Sequence, residues 1–457
     1  MNIYSHYRVL FSVICAIGII VFLSTDSIHA QITLKSCITA ARQYHPSMSA
    51  ARAATQEACR QIDIAQSNLG PNIDLIAFSQ INSVIPEIII NSNSVDTHIG
   101  TITIPGFSRE LGGYDSHSID LKIQQTIYTG GLLTGNVIRA KLAADTVGFK
   151  ESLQQLELDG RVAITYLMLV QALELKETAQ NTIKLAKEHR NDMKNRFESG
   201  VVLENEVMKA ELRVSEAENN LINTQNHVAV QAERLKILTG LDLNFAENAP
   251  SRIVFEEPLH LSVSKAVQLA YTQRPELIVF EAQIQQIEHE IEMIQREQRP
   301  TLIAFGQASY GKPGPDFPQN DWIDSYQAGV QMHLNIWDHG RRGTREAKLN
   351  ATIEHIRRNQ DVVKSEIEQM VVESIIGIRN ANALLEVTER AVGQAEINFR
   401  LTADRFDEGT VTNTDFLDAD IALANSCNQH VIARTKLDIA YVTHLLTLGE
   451  NLVSEGK

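Results

Sequence analysis

Two stretches of the chain alternate between apolar and polar residues, which is the pattern of a β-strand with one apolar face. One begins at Ile119 and the other at Tyr326. In the second, apolar positions (Tyr326, Ala328, Val330, Met332, Leu334, Ile336) alternate with polar ones or glycine (Gln327, Gly329, Gln331, His333, Asn335). In the first, the apolar set is Ile119, Leu121, Ile123 and Ile127, and the polar set is Asp120, Lys122, Gln124 and Thr126. A half-buried sheet of a water-soluble protein shows the same alternation.

The length of the second strand favours a membrane. Tyr326 to Trp337 is 11 steps along the chain, or about 36 Å at about 3.3 Å per residue. Tilted by about 40°, such a strand rises about 28 Å, which matches the apolar band of an outer-membrane barrel with an aromatic residue at each rim. We therefore expect Tyr128, Tyr326 and Trp337 to lie at the membrane interfaces. Because the smallest such barrels have about eight strands, four strands in one chain require several chains to share a barrel.

Two long segments show the spacing of helices. No proline interrupts residues 135–197 or 343–406, and apolar residues recur in them at helical spacing between Lys, Glu, Gln and Asn. Helices of this length exceed those of ordinary globular domains and indicate coiled-coil packing. Gly200 and Gly409 follow the two segments, where glycine permits the tight reversal at a helix end.

The chain repeats itself. "RFESGVVLENE" begins at Arg196 and "RFDEGTVTNTD" at Arg405, an offset of 209 (405 − 196). Proline pairs 25 residues apart, beginning at Pro46 and at Pro275, give an offset of 229 (275 − 46). We interpret the chain as two structural repeats, 31–240 and 241–457, after a signal peptide at 1–30. The predicted strands are 72–81, 116–128, 301–310 and 324–337, and the predicted helical hairpins are 135–239 and 343–449.

The difference between the two offsets falls in one loop. The segment 82–116 is about 20 residues longer than its counterpart, and insertions of this kind are tolerated in loops. It would form either a β-rich projection or a cover over the mouth of a barrel.

The first 30 residues resemble an export signal. Arg8 precedes an apolar run from Val9 to Leu23, and cleavage is expected before Gln31. A retained anchor helix is the alternative, but the run is short for a membrane span.

The formal net charge of the chain is −15. A protein that binds nucleic acid through its overall electrostatic field is expected to be basic, so we predict no nucleic-acid partner.

Nothing in the chain has the pattern of an enzyme. The motifs GxSxG, CxxC and HExxH do not occur, and neither a catalytic residue nor a cofactor is predicted. Glu288, His289, Glu290 and Glu292 point in different directions on a helix, so we interpret them as a solvated face and predict no metal site.

Three cysteines follow the signal segment (Cys37, Cys59, Cys427). They do not form a disulfide framework, and we expect them to be small buried residues.

In the order and spacing of these features, the chain resembles the TolC family of outer-membrane efflux proteins. The tip phrase Arg-Phe-x-x-Gly-x-Val, the proline-bounded helix that ends in "LGPNIDL" and the "DFLDAD" that begins at Asp415 carry the resemblance. It implies an α+β membrane protein. Each tandem-repeat protomer would contribute long antiparallel coiled-coil hairpins to a helical α-barrel and four strands to a 12-stranded β-barrel shared by a homotrimer.

The resemblance also implies a function, a location and partners. The trimer would be a passive channel in the outer membrane of a Gram-negative bacterium, in contact with outer-membrane lipid, with a helical portion in the periplasm. A periplasmic adaptor protein and an inner-membrane pump or ABC transporter would complete a tripartite efflux pump or a type I secretion system. A soluble periplasmic coiled-coil adaptor or scaffold is the alternative, and it would not require detergent.

The tips of the hairpins hold the candidate functional residues. Asp415 and Asp418, three residues apart, share one face of a helix, and the resemblance implies that they form the pore constriction. Glu206 and Lys209 are at the matching positions of the first repeat. For Arg196 and Arg405 we favour contact with helix-terminal carbonyls over a tie to Glu206 or Asp415.

Overall fold

The computed structural model describes residues 32–110, 113–242, 262–312 and 321–452. The predicted signal peptide lies outside these residues. Contacts divide the chain into two units. Within the described ranges, the helical unit comprises residues up to 53, 149–278 and from 360 onward, and the sheet unit comprises 54–148 and 279–359.

The helices occur in two sets of equal length. Helices of 11, 22, 67 and 36 residues follow one another twice. The first set is α1 (Leu34–Tyr44), α2 (Pro46–Ser67), α3 (Leu132–Glu198) and α4 (Glu204–Thr239). The second set is α5 (Val263–Gln273), α6 (Pro275–Arg296), α7 (Arg341–Asp407) and α8 (Asn413–Leu448).

Prolines and glycines set the helix ends. Pro46 and Pro275 are the first residues of α2 and α6, a position where a missing N–H costs nothing and the fixed φ suits the helix. Gly240 and Gly449 end α4 and α8 with φ of 70° and 81°. This left-handed conformation is open to glycine and unfavourable for residues with a Cβ. The local sequence therefore accounts for the helix boundaries.

Four strands form one antiparallel sheet in the order β1 (Asn72–Ile81), β6 (Asp115–Tyr128), β7 (Thr301–Lys312), β8 (Ile323–His333). Strand β1 pairs with β6 along its whole length, from Asn72 opposite Gln124 to Ile81 opposite Asp115. Strands β1 and β8 are the two edges. The prediction of four sheet strands and two long helical hairpins per chain is confirmed.

Each of the four strands contributes apolar residues to one side of this sheet, although Ile76, Phe78 and Phe305 lie on the other side. Leu75 lies opposite Leu121, Leu121 opposite Ala308, and Ala308 opposite Tyr326. On the other side, the Oδ1 of Asp120 accepts hydrogen bonds from Ser309 and from Gln307 (3.2 Å), and Gln307 accepts one from Gln327 (3.1 Å). A one-residue slip would exchange the two sides, so these cross-strand polar bonds help to fix the register.

The last predicted strand is shorter than expected. It ends at His333, which lies opposite Thr301, the first residue of β7. Residues 334–338 have no strand assignment. The prediction that the strand reaches Trp337 is therefore wrong for the single chain. The reason is that β7 starts directly after Pro300 and offers no partner to residues beyond His333.

The long loop of the first repeat is a β-hairpin of two short ladders. Strand β2 (Glu87–Ile90) pairs with β5 (Phe107–Glu110), and β3 (Asn93–Thr97) pairs with β4 (Gly100–Ile104). Of the two forms expected for this loop, the structure has β-strands, and every residue in the four strands is exposed.

The core of the helical unit lies where α1 and α2 meet α3, α4 and α8. Its fully buried residues include Ile38, Met48, Tyr166, Leu235 and Val442. The hydroxyl of Tyr166 donates to the carbonyl of Ile32 (2.9 Å). The guanidinium of Arg42 binds the buried carboxylate of Asp159 through Nε (2.9 Å) and Nη2. Apolar burial and one buried ion pair thus hold the short helices against the long ones.

Two sequence interpretations are corrected. His289 is buried rather than solvated, because its Nε2 lies 2.8 Å from the carbonyl oxygen of Gly135 and ties α6 to α3 within the sheet unit. Cys37 is buried as expected, but Cys59 is exposed and Cys427 is only partly buried.

Candidate functional site

Both hairpin tips are closed by the same backbone bonds. In the first, the N–H of Val201 donates to the carbonyl of Arg196 (2.8 Å) and that of Gly200 to Phe197 (2.8 Å). In the second, Thr410 donates to Arg405 (2.9 Å) and Gly409 to Phe406 (3.1 Å). These are the two bonds of a Schellman motif, which needs a left-handed residue. Gly200 and Gly409 supply it, with φ of 74° and 72°.

The side chains of the two tip arginines differ. Arg196 donates to Asp192 on its own helix (2.8 Å) and to Asp407 in the second hairpin (2.9 Å). Its guanidinium carbon also lies 4.7 Å from the ring centre of Phe406. Arg405 is exposed, and its carbonyl carries the bond to Thr410. A tie between hairpins is therefore present at Arg196, with Asp407 as its partner rather than Glu206 or Asp415.

An aromatic cluster joins the two hairpins beneath the tips. The ring of His189 on α3 stacks on Phe416 of α8 (4.2 Å between ring centres) and lies 5.5 Å from Phe406. Met193, Val207 and Ala210 are the other buried residues of this cluster from the first hairpin. The sequence predicted no contact for Phe406, although the repeated phrase places it three residues before the tip glycine, Gly409.

A chain of hydrogen bonds runs from this cluster to the surface. The Nδ2 of Asn413 donates to the Oε2 of Glu206 (2.9 Å), so its Oδ1 faces the Nε2 of His189 (2.7 Å) and accepts from it. Lys209 then donates to Glu206 (3.0 Å) and to Thr414 (3.2 Å). The amide of Asn413 and the ammonium of Lys209 hold the pKa of Glu206 below its usual value. The predicted tip residue Glu206 is thus the centre of a link between hairpins.

A buried ion pair forms a second link. The Nε of Arg213 on α4 lies 2.8 Å from the Oδ2 of Asp420 on α8, and its Nη2 lies 2.7 Å from the same oxygen. The side chains are only 12% and 6% exposed. Asp420 lies five residues after Asp415, which places it on a different side of the helix. Its partner is 207 residues away in the chain, so sequence reasoning did not find the pair.

Asp415 and Asp418 are both exposed at the start of α8. Asp415 also forms a capping box, since its Oδ2 accepts from the N–H (2.9 Å) and the hydroxyl (2.7 Å) of Thr412. These bonds hold the pKa of Asp415 below its usual value, so it is charged at neutral pH. The exposed acids present a negative surface at this helix end.

The predicted interface aromatics belong to the sheet unit. Tyr326 lies within β8 and Tyr128 ends β6, while Trp337 follows β8 and is 78% exposed. A stacked pair that sequence reasoning missed, Tyr310 on Trp322 (5.0 Å between ring centres), lies near the end of the sheet where β7 turns to β8.

Among the described residues, no group of His, Cys, Asp and Glu side chains is placed to hold a metal ion. None of the helices that the structure describes is long and apolar enough to cross a membrane.

Comparison with known proteins finds one family whose profile matches most of the chain, and one relative of similar length. The profile of the family described as outer membrane efflux protein matches residues 37–241 and 266–450. The alkaline protease secretion protein AprF of Pseudomonas aeruginosa is 22% identical over 345 residues, which cover 74% of this chain and 70% of AprF.

Two solved structures share the fold. The outer membrane protein VceC of Vibrio cholerae is 17% identical and superposes with a TM-score of 0.68, over 91% of this chain and 96% of VceC. The CmeC outer membrane channel of Campylobacter jejuni is 16% identical, with a TM-score of 0.69 over 93% of this chain and 87% of CmeC.

Proposed function

Because the chain belongs to the outer membrane efflux protein family, we propose that it is the outer-membrane channel of a tripartite efflux pump or a type I secretion system. Three copies form the channel, and it acts as a passive conduit from the periplasm to the exterior. The resemblance to this family that the sequence indicated is confirmed.

The observation that carries the proposal is the uncovered apolar face of the four-stranded sheet. Leu75 and Val330, on the two edge strands, are 72% and 66% exposed. On the opposite face, Asp120, Gln307 and Gln327 are joined by hydrogen bonds. A face of neighbouring exposed apolar side chains is unfavourable in water. Lipid on one side and a water-filled lumen on the other would satisfy both faces.

The edges of the sheet require more than one copy. Within the described residues, the outer edges of β1 and β8 have no strand beside them. Unpaired backbone groups are not tolerated in the hydrocarbon of a membrane. Pairing β8 of one copy with β1 of the next removes every edge, and three copies supply twelve strands in total (3 × 4).

The hairpin tips close the periplasmic end of the channel. Asp415 and Asp418 of three copies form a ring of six carboxylates (3 × 2) that favours cations. The links through Arg196, Asn413 and Asp420 hold the two hairpins of each copy together. The same groups would have to separate, or move as one body, for the end to open.

The partners are a periplasmic adaptor protein and an inner-membrane pump or ABC transporter. AprF is an alkaline protease secretion protein, which supports a type I secretion system as one of the two assemblies. We assign the chain no catalytic role, since the family and the fold are those of channels.

The mass and conductance of the purified protein test the proposal. In detergent, the folded protein should have three times the mass of one chain, and in planar bilayers it should conduct ions with a preference for cations. A folded monomer or dimer, or a protein that stays in solution without detergent, would contradict it.

A further inference from the structure

The hairpin inserted between β1 and β6 has two different faces at its base. Ile88 lies opposite Arg109 and Ile90 opposite Phe107, while Glu87 lies opposite Glu110 and Ile89 opposite Ser108. Successive residues of a strand point to opposite sides. One side is therefore a cationic face, consisting of Ile88, Ile90, Phe107 and Arg109. The other is an acidic face, consisting of Glu87, Ile89, Ser108 and Glu110.

Both faces carry apolar side chains in the open. Ile89 on the acidic face is 65% exposed and Phe107 on the cationic face is 56% exposed. A two-stranded hairpin alone in water is marginally stable at best and needs further strands or packing. All eight residues of β2 and β5 are exposed. The described part of the chain therefore does not cover this hairpin.

The charges at the base are also unbalanced. Glu87 and Glu110 lie directly opposite each other, and like charges in such pairs are destabilising. Arg109 is on the other face, and the described residues offer none of the three an ion-pair partner. The acidic face and the cationic face both carry apolar side chains and have opposite charges, so they complement each other. They lie on opposite sides of one hairpin, so they can meet only between two molecules.

We propose that the partner is a second copy of this chain, with the cationic face of each hairpin packed on the acidic face of the next around a closed ring of three. This rests on the proposed trimer. The hairpin leaves the sheet from β1, an edge strand, and so begins beside the neighbouring copy.

Three-fold symmetry supports the arrangement. A ring of identical subunits has heterologous interfaces, in which two different surfaces of each copy meet. Packing between identical faces would place Arg109 against Arg109, or two acid pairs together. Because the three hairpins stand on one barrel, their effective concentration is high, and even a small interface forms.

The charge of the hairpin favours this partner over lipid. Glu87, Asp96 and Glu110 outnumber Arg109. Anionic headgroups attract basic segments and repel acidic ones. The hairpin is therefore better matched to its own copies than to a charged membrane surface.

Disulfide trapping between the two faces tests the ring. Ile88→Cys on the cationic face and Ser108→Cys on the acidic face are combined in one chain, and mild oxidation should yield a covalent trimer on a denaturing gel. The two side chains point to opposite sides of one hairpin, so a bond within the chain is excluded by geometry. Each single substitution, and the parent with its native cysteines, should remain monomeric on the gel.

Charge reversal supplies a second readout. Arg109→Glu in the double-cysteine chain should slow the formation of trimer about fivefold, because it places three acids together. Adding Glu87→Arg and Glu110→Arg should restore it.

The outcomes separate the ring from the channel itself. If the detergent mass shows a trimer and the double-cysteine chain does not cross-link, the ring is wrong and the proposed function stands. Equal cross-linking of the single substitutions would also overturn it. A detergent mass other than that of a trimer overturns both.

Discussion

Removal of Asp420 should loosen the link between the two hairpins of each chain. Its side chain is 6% exposed; its Oδ2 accepts a hydrogen bond from the Nε of Arg213 (2.8 Å) and lies 2.7 Å from the Nη2. The two residues lie on α4 and α8, so the pair joins the first hairpin to the second. Asp420→Ala leaves the guanidinium of Arg213 buried without its partner.

The structure indicates the size of the effect. Breaking a buried ion pair by removing one partner costs about 3–5 kcal/mol. The Oε2 of Glu216 lies 3.9 Å from the Nη1 of Arg213 and retains part of the stabilisation, so we expect the lower end, about 3 kcal/mol. Because about 1.4 kcal/mol is a factor of ten, local opening should become about 100-fold more frequent.

Amide hydrogen exchange of the detergent-solubilised protein measures this opening. Exchange in the first halves of α4 and α8 should accelerate about 100-fold in Asp420→Ala. Asp418→Ala, an exposed neighbour on the same helix, serves as the matched control and should change exchange little. Arg213→Met with Asp420→Leu removes both charges and should restore most of the protection, since apolar replacements of whole ion pairs are often neutral. Wild-type exchange in Asp420→Ala would refute the energetic role of the pair.

Three further predictions concern the sheet, the carboxylate ring of Asp415 and Asp418, and the buried His189. Val330→Arg, on the apolar face, should block membrane assembly at a cost of about 2–4 kcal/mol, whereas Gln331→Arg on the other face should be tolerated; equal trimer yields would contradict the assigned faces. The double substitution Asp415→Asn with Asp418→Asn should reduce both the cation selectivity of the channel and its inhibition by multivalent cations in planar bilayers. Unchanged recordings would mean that the two acids are only a solvated surface. Burial lowers the pKa of His189 from its usual value of 6.5, so the folded protein should lose stability as the pH falls through about 6.5. Thermal melts at pH 7.5 and 5.5 should show a smaller loss in His189→Gln than in the parent. The same pH dependence in both proteins would contradict a role of His189.

Much of the fold could be predicted from the sequence because its signals are local. A proline at a helix start, a glycine at a tip and the absence of proline between them determine where a helix can begin and end. The alternation that begins at Tyr326 determines which side chains share a face, because the period of a strand is two. The shared phrase at Arg196 and Arg405 located both tips, and the structure shows the same two backbone bonds there.

The links between hairpins were decided by tertiary structure alone. Arg196 binds Asp407, and Arg213 binds Asp420, across more than 200 residues of chain. Which residues meet depends on the register and rotation of one long helix against another, and many registers are compatible with the same apolar spacing. The same holds for Trp337, because the end of β8 is set by where its neighbour β7 begins. The sequence by itself therefore determined the elements, their ends and their faces, whereas side-chain partners required the packed structure, because contact between distant segments is a property of their relative position.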